Sequence, residues 1–362
     1  MKANQNSLIT VEHLEGQTKI LDSTQNKIYN IILMYSKLKS GDLVYLKPNL
    51  TVPWYVPGAC TSKIVIEAIC RVLRDLNCRI VICEGDGGVA SYSAHEAFTG
   101  NNLSDLTHKY NVRFVSLSQL PRKKSIQIVL RKEIGFELPG ALVNKEYDFF
   151  INVPVLKVHM LTKLSLSLKN LWGCIPDPLR IHYHRILNEG IVAIWKAIRP
   201  DLSIIDGLIA GDGNAPINAT PIPMNLLIAG CCDASIDRLG SKVLNIPFDS
   251  VKHLVIAEKE GLIKPFARIE LSKNIESFCT RDFKADRRIS NWGMILMSRY
   301  PTIQGFVYHS FASKIIYKIL RKLRKNNIQN DLRIRHYGDP GWGEGCGYSD
   351  FFPRLSHNKT ND

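Results

Sequence analysis

The sequence has nine cysteines in 362 residues but no Cys-x-x-Cys pair. Iron–sulfur clusters and structural zinc sites rest on closely spaced thiolates, so neither is expected. Neither GxxxxGK[ST] nor GxGxxG occurs, which excludes a Walker loop and a dinucleotide fingerprint. No apolar run approaches the ~20 residues that a membrane span requires. The opening stretch MKANQNSLITVEHLEGQ is polar where a signal peptide needs an apolar core. Reduced thiols in a cytoplasm are therefore the simplest expectation. Acidic residues are also scarce: 33 Asp and Glu face 47 Lys and Arg, for a formal net charge of +14.

What is present describes an ordinary globular chain, 45% hydrophobic and 22% charged, long enough to bury a substantial core. The excess charge is unevenly placed. Residues 272–362 carry sixteen Lys and Arg against eight Asp and Glu, more than half of the net total. Two regions are expected: an α/β domain over 1–271, and a basic, mostly helical extension over 272–362 with a glycine- and aromatic-rich tail.

Apolar runs at 43–46, 79–83, 112–117, 147–153, 201–205 and 225–230 read as strands. Between and after them, helical spacing appears at 62–76, 93–110, 188–198, 234–244 and 250–260. Residues 118–146 read as a polar β excursion around 126–130. Strand and helix recurring in turn predicts an α/β fold, a mainly parallel sheet with helices on both faces. In such sheets ligands gather beyond the carboxyl ends of the strands.

Lys47, Glu84, Asp86, Lys157, His159 and Asp206 all fall just past a predicted strand end. Parallel strands finish on one side, so these residues can converge. The stretch EGDGGVAS offers Gly87 and Gly88 as a phosphate cradle, or as a tight turn around a solvated Asp86. Lys157 can supply fixed charge or a base, and His159 a proton-transfer group, although a lone histidine is often structural. His182 and His184 form an HxH pair. On an extended segment both imidazoles would face one divalent metal or phosphate; otherwise they are solvated loop residues. The stretch GDGNAPINATP at 211–221 reads as a loop over the site, with Asp212 and Asn214 as its polar candidates.

Five segments occur together: LKPNLTVP at 46–53, the helix after Thr61, ICEGDGG at 82–88, NVPVLKVHMLTKLSLSLKNLWGCIP at 152–176 and PDLSIIDGLIAGDGNAP at 200–216. Across about residues 40–262 the chain resembles the "domain of unknown function 362" family. The resemblance carries over Lys47, Asn49, Glu84, Lys157, His159, Lys169, Asn170, Asp206 and Asn214 as the polar positions of a site. Many members of that family also carry a ferredoxin module, whose cysteine cluster this chain lacks. A looser likeness, to the lactate racemase superfamily, lies in the spacing of His159, Lys169 and His184.

Together these features predict an enzyme for a small polar or anionic substrate. Lys157, His159 and Glu84 are its candidate catalytic groups. Lys47, Asn49, Asp86, Gly87, Gly88, Lys169, Asn170, Asp206 and Asn214 are the candidate binding groups. The alternative is a non-catalytic metabolite- or cofactor-binding protein. Residues 311–325 have one apolar and one basic helical face, which suits docking on an anionic membrane or packing on the body. The sparse aromatic interleaving argues against nucleic acid as a partner.

Overall fold

Both faces of the central strands are apolar, and the period of two divides their side chains between two separate cores. The computed structural model describes residues 8–14, 20–88, 91–263, 268–271 and 275–285, and also Tyr300 and Lys322. On β2 (Leu43–Pro48), Val44 and Leu46 pack into one core and Tyr45 into the other. On β3 (Arg79–Glu84), Ile80 and Ile82 oppose Val81 and Cys83 in the same way. A strand buried on both sides must be covered by helices twice, as the mainly parallel sheet predicts.

The first core lies under α1 (Ile20–Tyr35), α2 (Lys63–Asp75), α3 (Ala94–Gly100) and α4 (Asp105–Tyr110). Helix α2 buries Val65, Ile66, Ala68, Ile69, Val72 and Leu73 along one face, following the predicted spacing. Helix α1 is an addition to the sequence reading; it inserts Ile28, Ile31, Ile32 and Tyr35 at helical intervals. The single helix expected over 93–110 is two helices. Asn101 turns its amide back onto the Ala97 and Val52 carbonyls, and Asn102 takes a positive φ of 58°.

The second core lies under α5 (Gly140–Val143), α6 (Ser167–Asn170), α7 (Leu187–Ile198), α8 (Asp233–Val243) and α9 (Lys252–Lys259). The hairpin of β5 (Arg122–Val129) and β6 (Lys132–Pro139) closes this side, as the polar excursion predicted. Residues 275–285 also pack here, burying Phe278 and Phe283.

The remaining strands are β1 (Leu8–His13), β4 (Arg113–Ser116), β7 (Phe149–Val153), β8 (Val155–His159), β9 (Lys163–Ser165), β10 (Leu202–Asn214), β11 (Asn218–Gly230) and β12 (Arg268–Leu271). Their order is β12-β1-β11-β10-β7-β2-β3-β4, with β8 attached to β10 and β9 to β8. The pairs β10–β7, β7–β2, β2–β3 and β3–β4 are parallel, so these strands end on one side. The loop expected at 211–221 is the far half of an antiparallel β10–β11 hairpin, paired out to Asn214 and Asn218. Its turn residues are confined to 215–217, and the alternating chain on either side continues the ladder. The segment 311–325 falls outside the described residues, apart from the exposed Lys322.

Candidate functional site

Lys47 at the end of β2 and Glu84 at the end of β3 meet at 2.8 Å, with their side chains 1% and 6% exposed. Glu84 also accepts the backbone N–H groups of Gly85 (2.9 Å) and Leu50 (3.1 Å). Burial opposes the charge on Lys47, but the attraction of Glu84 outweighs it and raises the lysine above its ordinary value. This lysine is a neutralised tie between strand ends.

Lys157 on β8 is differently placed. Its ammonium donates to Asn49 Oδ1 (2.9 Å), Thr51 Oγ1 (3.0 Å) and the Ala59 carbonyl (2.6 Å), which uses all three N–H bonds. No carboxylate is among these partners. Its pKa is lowered to about 8, mainly by burial and slightly by Lys47, with Cys60 and Glu84 acting the other way.

From Asn49 a row of polar side chains crosses the sheet ends. Asn49 Nδ2 donates to Asn170 Oδ1 (2.7 Å), and Asn170 Nδ2 to Asn152 Oδ1 (2.7 Å). Asn152 Nδ2 donates to Ser203 Oγ (3.0 Å), and Ser203 to Asp233. Every donor points the same way, from the Lys157 ammonium toward the Asp233 carboxyl. Backbone register explains the middle of the row, since Asn152 sits opposite both Lys47 and Ser203 on the neighbouring parallel strands. Asp233 also accepts the Trp195 indole N–H, and burial raises its carboxyl to about 6.

Asn170 ends the short helix α6, whose start is held by Asp237. The Ser167 and Leu168 N–H groups donate to the two Asp237 oxygens at 2.8 and 2.9 Å. Between these anchors stands Lys169, half-buried, with its amine 5.9 Å from the Trp172 ring. Among the described residues this amine has no hydrogen-bond acceptor and no carboxylate partner. Burial, then the charges of Lys157, Arg180 and Lys47, lower its pKa to about 7.

Three imidazoles feel the charge of Lys169: His159, His184 and His253. Burial is the largest cause in each case, driving His159 well down and both His184 and His253 to about 3. His159 Nδ1 accepts the Leu161 N–H at 3.1 Å, which leaves the ring proton on Nε2. His253 is fully buried on α9, and neither ring nitrogen has a partner among the described residues. The His184 ring lies 6.1 Å from that of Trp172. The charge of Lys169 thus acts on both histidines of the spacing noted in the sequence.

Other sequence candidates have structural partners. Asp206 accepts Ser62 N–H (2.7 Å) and Leu208 N–H (3.0 Å), fastening the start of α2 to β10. Asp86 accepts Ala94 N–H (2.9 Å) at the start of α3. A Cβ on Gly87 would lie 2.4 Å from the Tyr92 ring, and one on Gly85 2.4 Å from the Gly173 carbonyl oxygen. The turn therefore requires close protein packing at both positions. Gly88 accepts Ser91 Oγ at its carbonyl. Asn214 is buried at the tip of β10, and Asp212 accepts the N–H of Lys284 and pairs with Arg281.

The HxH expectation needs correction. His182 and His184 lie in a 3₁₀ helix, Arg180–Ile186, not on an extended segment. Side chains two residues apart on a threefold helix point in different directions, so the pair does not present one face. Among the described residues no group of three His, Cys, Asp or Glu side chains is gathered to hold a metal ion. A cavity of about 530 Å³ lined by Met160, Lys163, Ile246 and Lys284 shares none of the cluster residues.

Sequence reasoning missed His253, Asn152, Ser203, Asp233 and Asp237. Asn152 and Ser203 carry a faint signal, as polar residues inside strands buried on both faces. His253 has none, because one histidine in an amphipathic helix is unremarkable.

The family model described as a domain of unknown function (DUF362) matches residues 44–242. A thylakoid-associated protein of Synechocystis sp. is 32% identical over 233 residues, covering 62% of this chain and 70% of that protein. No solved structure matches. On the family match, which lies inside the span that the motifs marked out, the chain belongs to the DUF362 family.

Proposed function

We propose that the chain is an enzyme for a small anionic substrate, with Lys169 at the centre of its site. The observation that carries this reading is the Lys169 amine, without a hydrogen-bond acceptor among the described residues, borne between two fixed anchors and acting by its charge on three buried imidazoles. Lys157 and Arg180 supply positive charge, and among the described residues neither is hydrogen-bonded to a carboxylate; Arg180 donates to the Ile175 and Asp86 carbonyls. His159, with its proton on Nε2, is placed to donate to substrate. Lys157 then acts through its charge and through the loop it holds, and Lys47 with Glu84 keeps the strand ends together. Such a site attracts anions and stabilises negative charge as it develops.

The test is to incubate the full chain with a small-metabolite extract and follow consumption by mass spectrometry. Loss of one anionic compound is expected, and Lys169→Met and His159→Gln should abolish that loss while circular dichroism stays unchanged. Consumption that survives both substitutions would sink the reading.

A second reading concerns location, and the relative's description as thylakoid-associated favours it. Residues 272–362 hold most of the net charge, which suits peripheral docking on an anionic bilayer. Co-sedimentation with phosphatidylglycerol vesicles should be lost when residues 311–325 are deleted, and also in high salt. Equal sedimentation with neutral vesicles would refute it.

A further inference from the structure

We propose that Lys169 is a Schiff-base nucleophile, and that the substrate is an aldehyde or ketone bearing a carboxylate or phosphate. This deepens the anionic-substrate reading and rests on it.

The backbone around Lys169 is fixed while its amine is not. Asp237 holds the two N–H groups that begin α6, and Asn170, the next residue, is held by Asn49 and Asn152. A flexible side chain on so rigid a base can sweep a defined volume, and no acceptor among the described residues restrains its amine. An amine that is neutral near pH 7 is a nucleophile, and burial beside other cations is how lysines reach that state. Lys47 is tied to Glu84 and Lys157 to three acceptors, so neither offers a free lone pair.

The chemistry closes without any co-reactant. The Lys169 nitrogen attacks the carbonyl carbon, a C–N bond forms, and the π pair moves to oxygen. His159 Nε2–H donates a hydrogen bond to that oxygen as negative charge gathers there. The two hydrogens of the amine then leave with the oxygen as water, and a C=N bond remains. The reaction is a reversible condensation with no oxidation or reduction. The surrounding positive charge disfavours a protonated imine, so an anionic group on the substrate is needed to balance it. Lys157 and Arg180 are the cations that would face that group.

Glyoxylate with sodium cyanoborohydride is the direct probe, since reduction turns the imine into a stable carboxymethyl-lysine. At pH 7 Lys169 in the full chain should be modified about a thousandfold faster than an ordinary lysine in a model peptide, from their difference in neutral fraction. Acetaldehyde, which lacks the anionic group, should label Lys169 far more slowly. Lys169→Met should abolish the selective adduct and, having broken no hydrogen bond, should still fold. Labelling spread over surface lysines, or an adduct already present on Lys169 in the purified chain, overturns the proposal. Thermal stabilisation by glyoxylate that depends on Lys169 but yields no adduct would defeat the covalent step alone. If neither glyoxylate, phosphate nor other carboxylates raise the melting temperature, the anionic-substrate reading fails as well.

Discussion

Asn49 donates its amide to Asn170 at 2.7 Å across 121 residues of sequence, joining the loop after β2 to the helix that carries Lys169. The same Asn49 side chain accepts from Lys157, so one carboxamide connects the strand that carries Lys157 with the helix that carries Lys169. An asparagine is suited to this position because it donates and accepts at once.

Replacing Asn170 with Leu should therefore lower stability by about 1–3 kcal/mol, because Asn49 and Asn152 each lose a buried partner. A double-mutant cycle of Asn49→Ala with Asn170→Leu should show coupling above ~0.5 kcal/mol. Additive losses in urea unfolding would mean that the row is not one unit.

Glu84→Gln leaves the Lys47 ammonium buried without its countercharge, at a cost of about 3–5 kcal/mol. Lys47→Met combined with Glu84→Leu should recover most of that loss, since neither desolvated charge remains. The midpoint of guanidinium unfolding measures both.

Lys169→Met should stabilise the protein at pH 6. The folded pKa lies below the ordinary lysine value, at about 7, so the charged form is penalised by folding. That penalty is full below pH 7 and fades toward pH 10, where the unfolded chain also loses its proton. Discounted for partial exposure, the gain should be about 1–3 kcal/mol at pH 6 and shrink as pH rises. A gain that grows with pH would contradict the assignment.

Acidification should act through His253. Its folded pKa, about 3, is below the unfolded value of roughly 6.5, so the unfolded chain takes up a proton first. The stability this group contributes is full above pH 6.5 and falls toward pH 3, by about 2 kcal/mol at pH 5. His253→Leu should flatten that part of the curve, as read from melting temperatures at successive pH values. A wild-type slope retained in the variant would place the effect elsewhere.

Most of the architecture was legible because secondary structure follows local spacing. The predicted helices at 62–76 and 188–198 appear as α2 and α7, and the apolar runs at 43–46 and 79–83 as β2 and β3. Reading failed where a side chain far along the chain decided a local outcome. Asn101 reaches the Val52 carbonyl and splits the helix expected at 93–110, while the hairpin partner Asn218 extends β10 through what looked like loop.

By itself the sequence determined the two-faced strands, their parallel order of ends and the family motifs, since periodicity and spacing are properties of neighbours along the chain. Which lysine is free was decided only by the tertiary structure. Lys47 and Lys169 are equally plausible as letters, yet one meets Glu84 and the other meets no acceptor among the described residues. Burial and the positions of distant charges set that difference, and both exist only after the strands have been brought together.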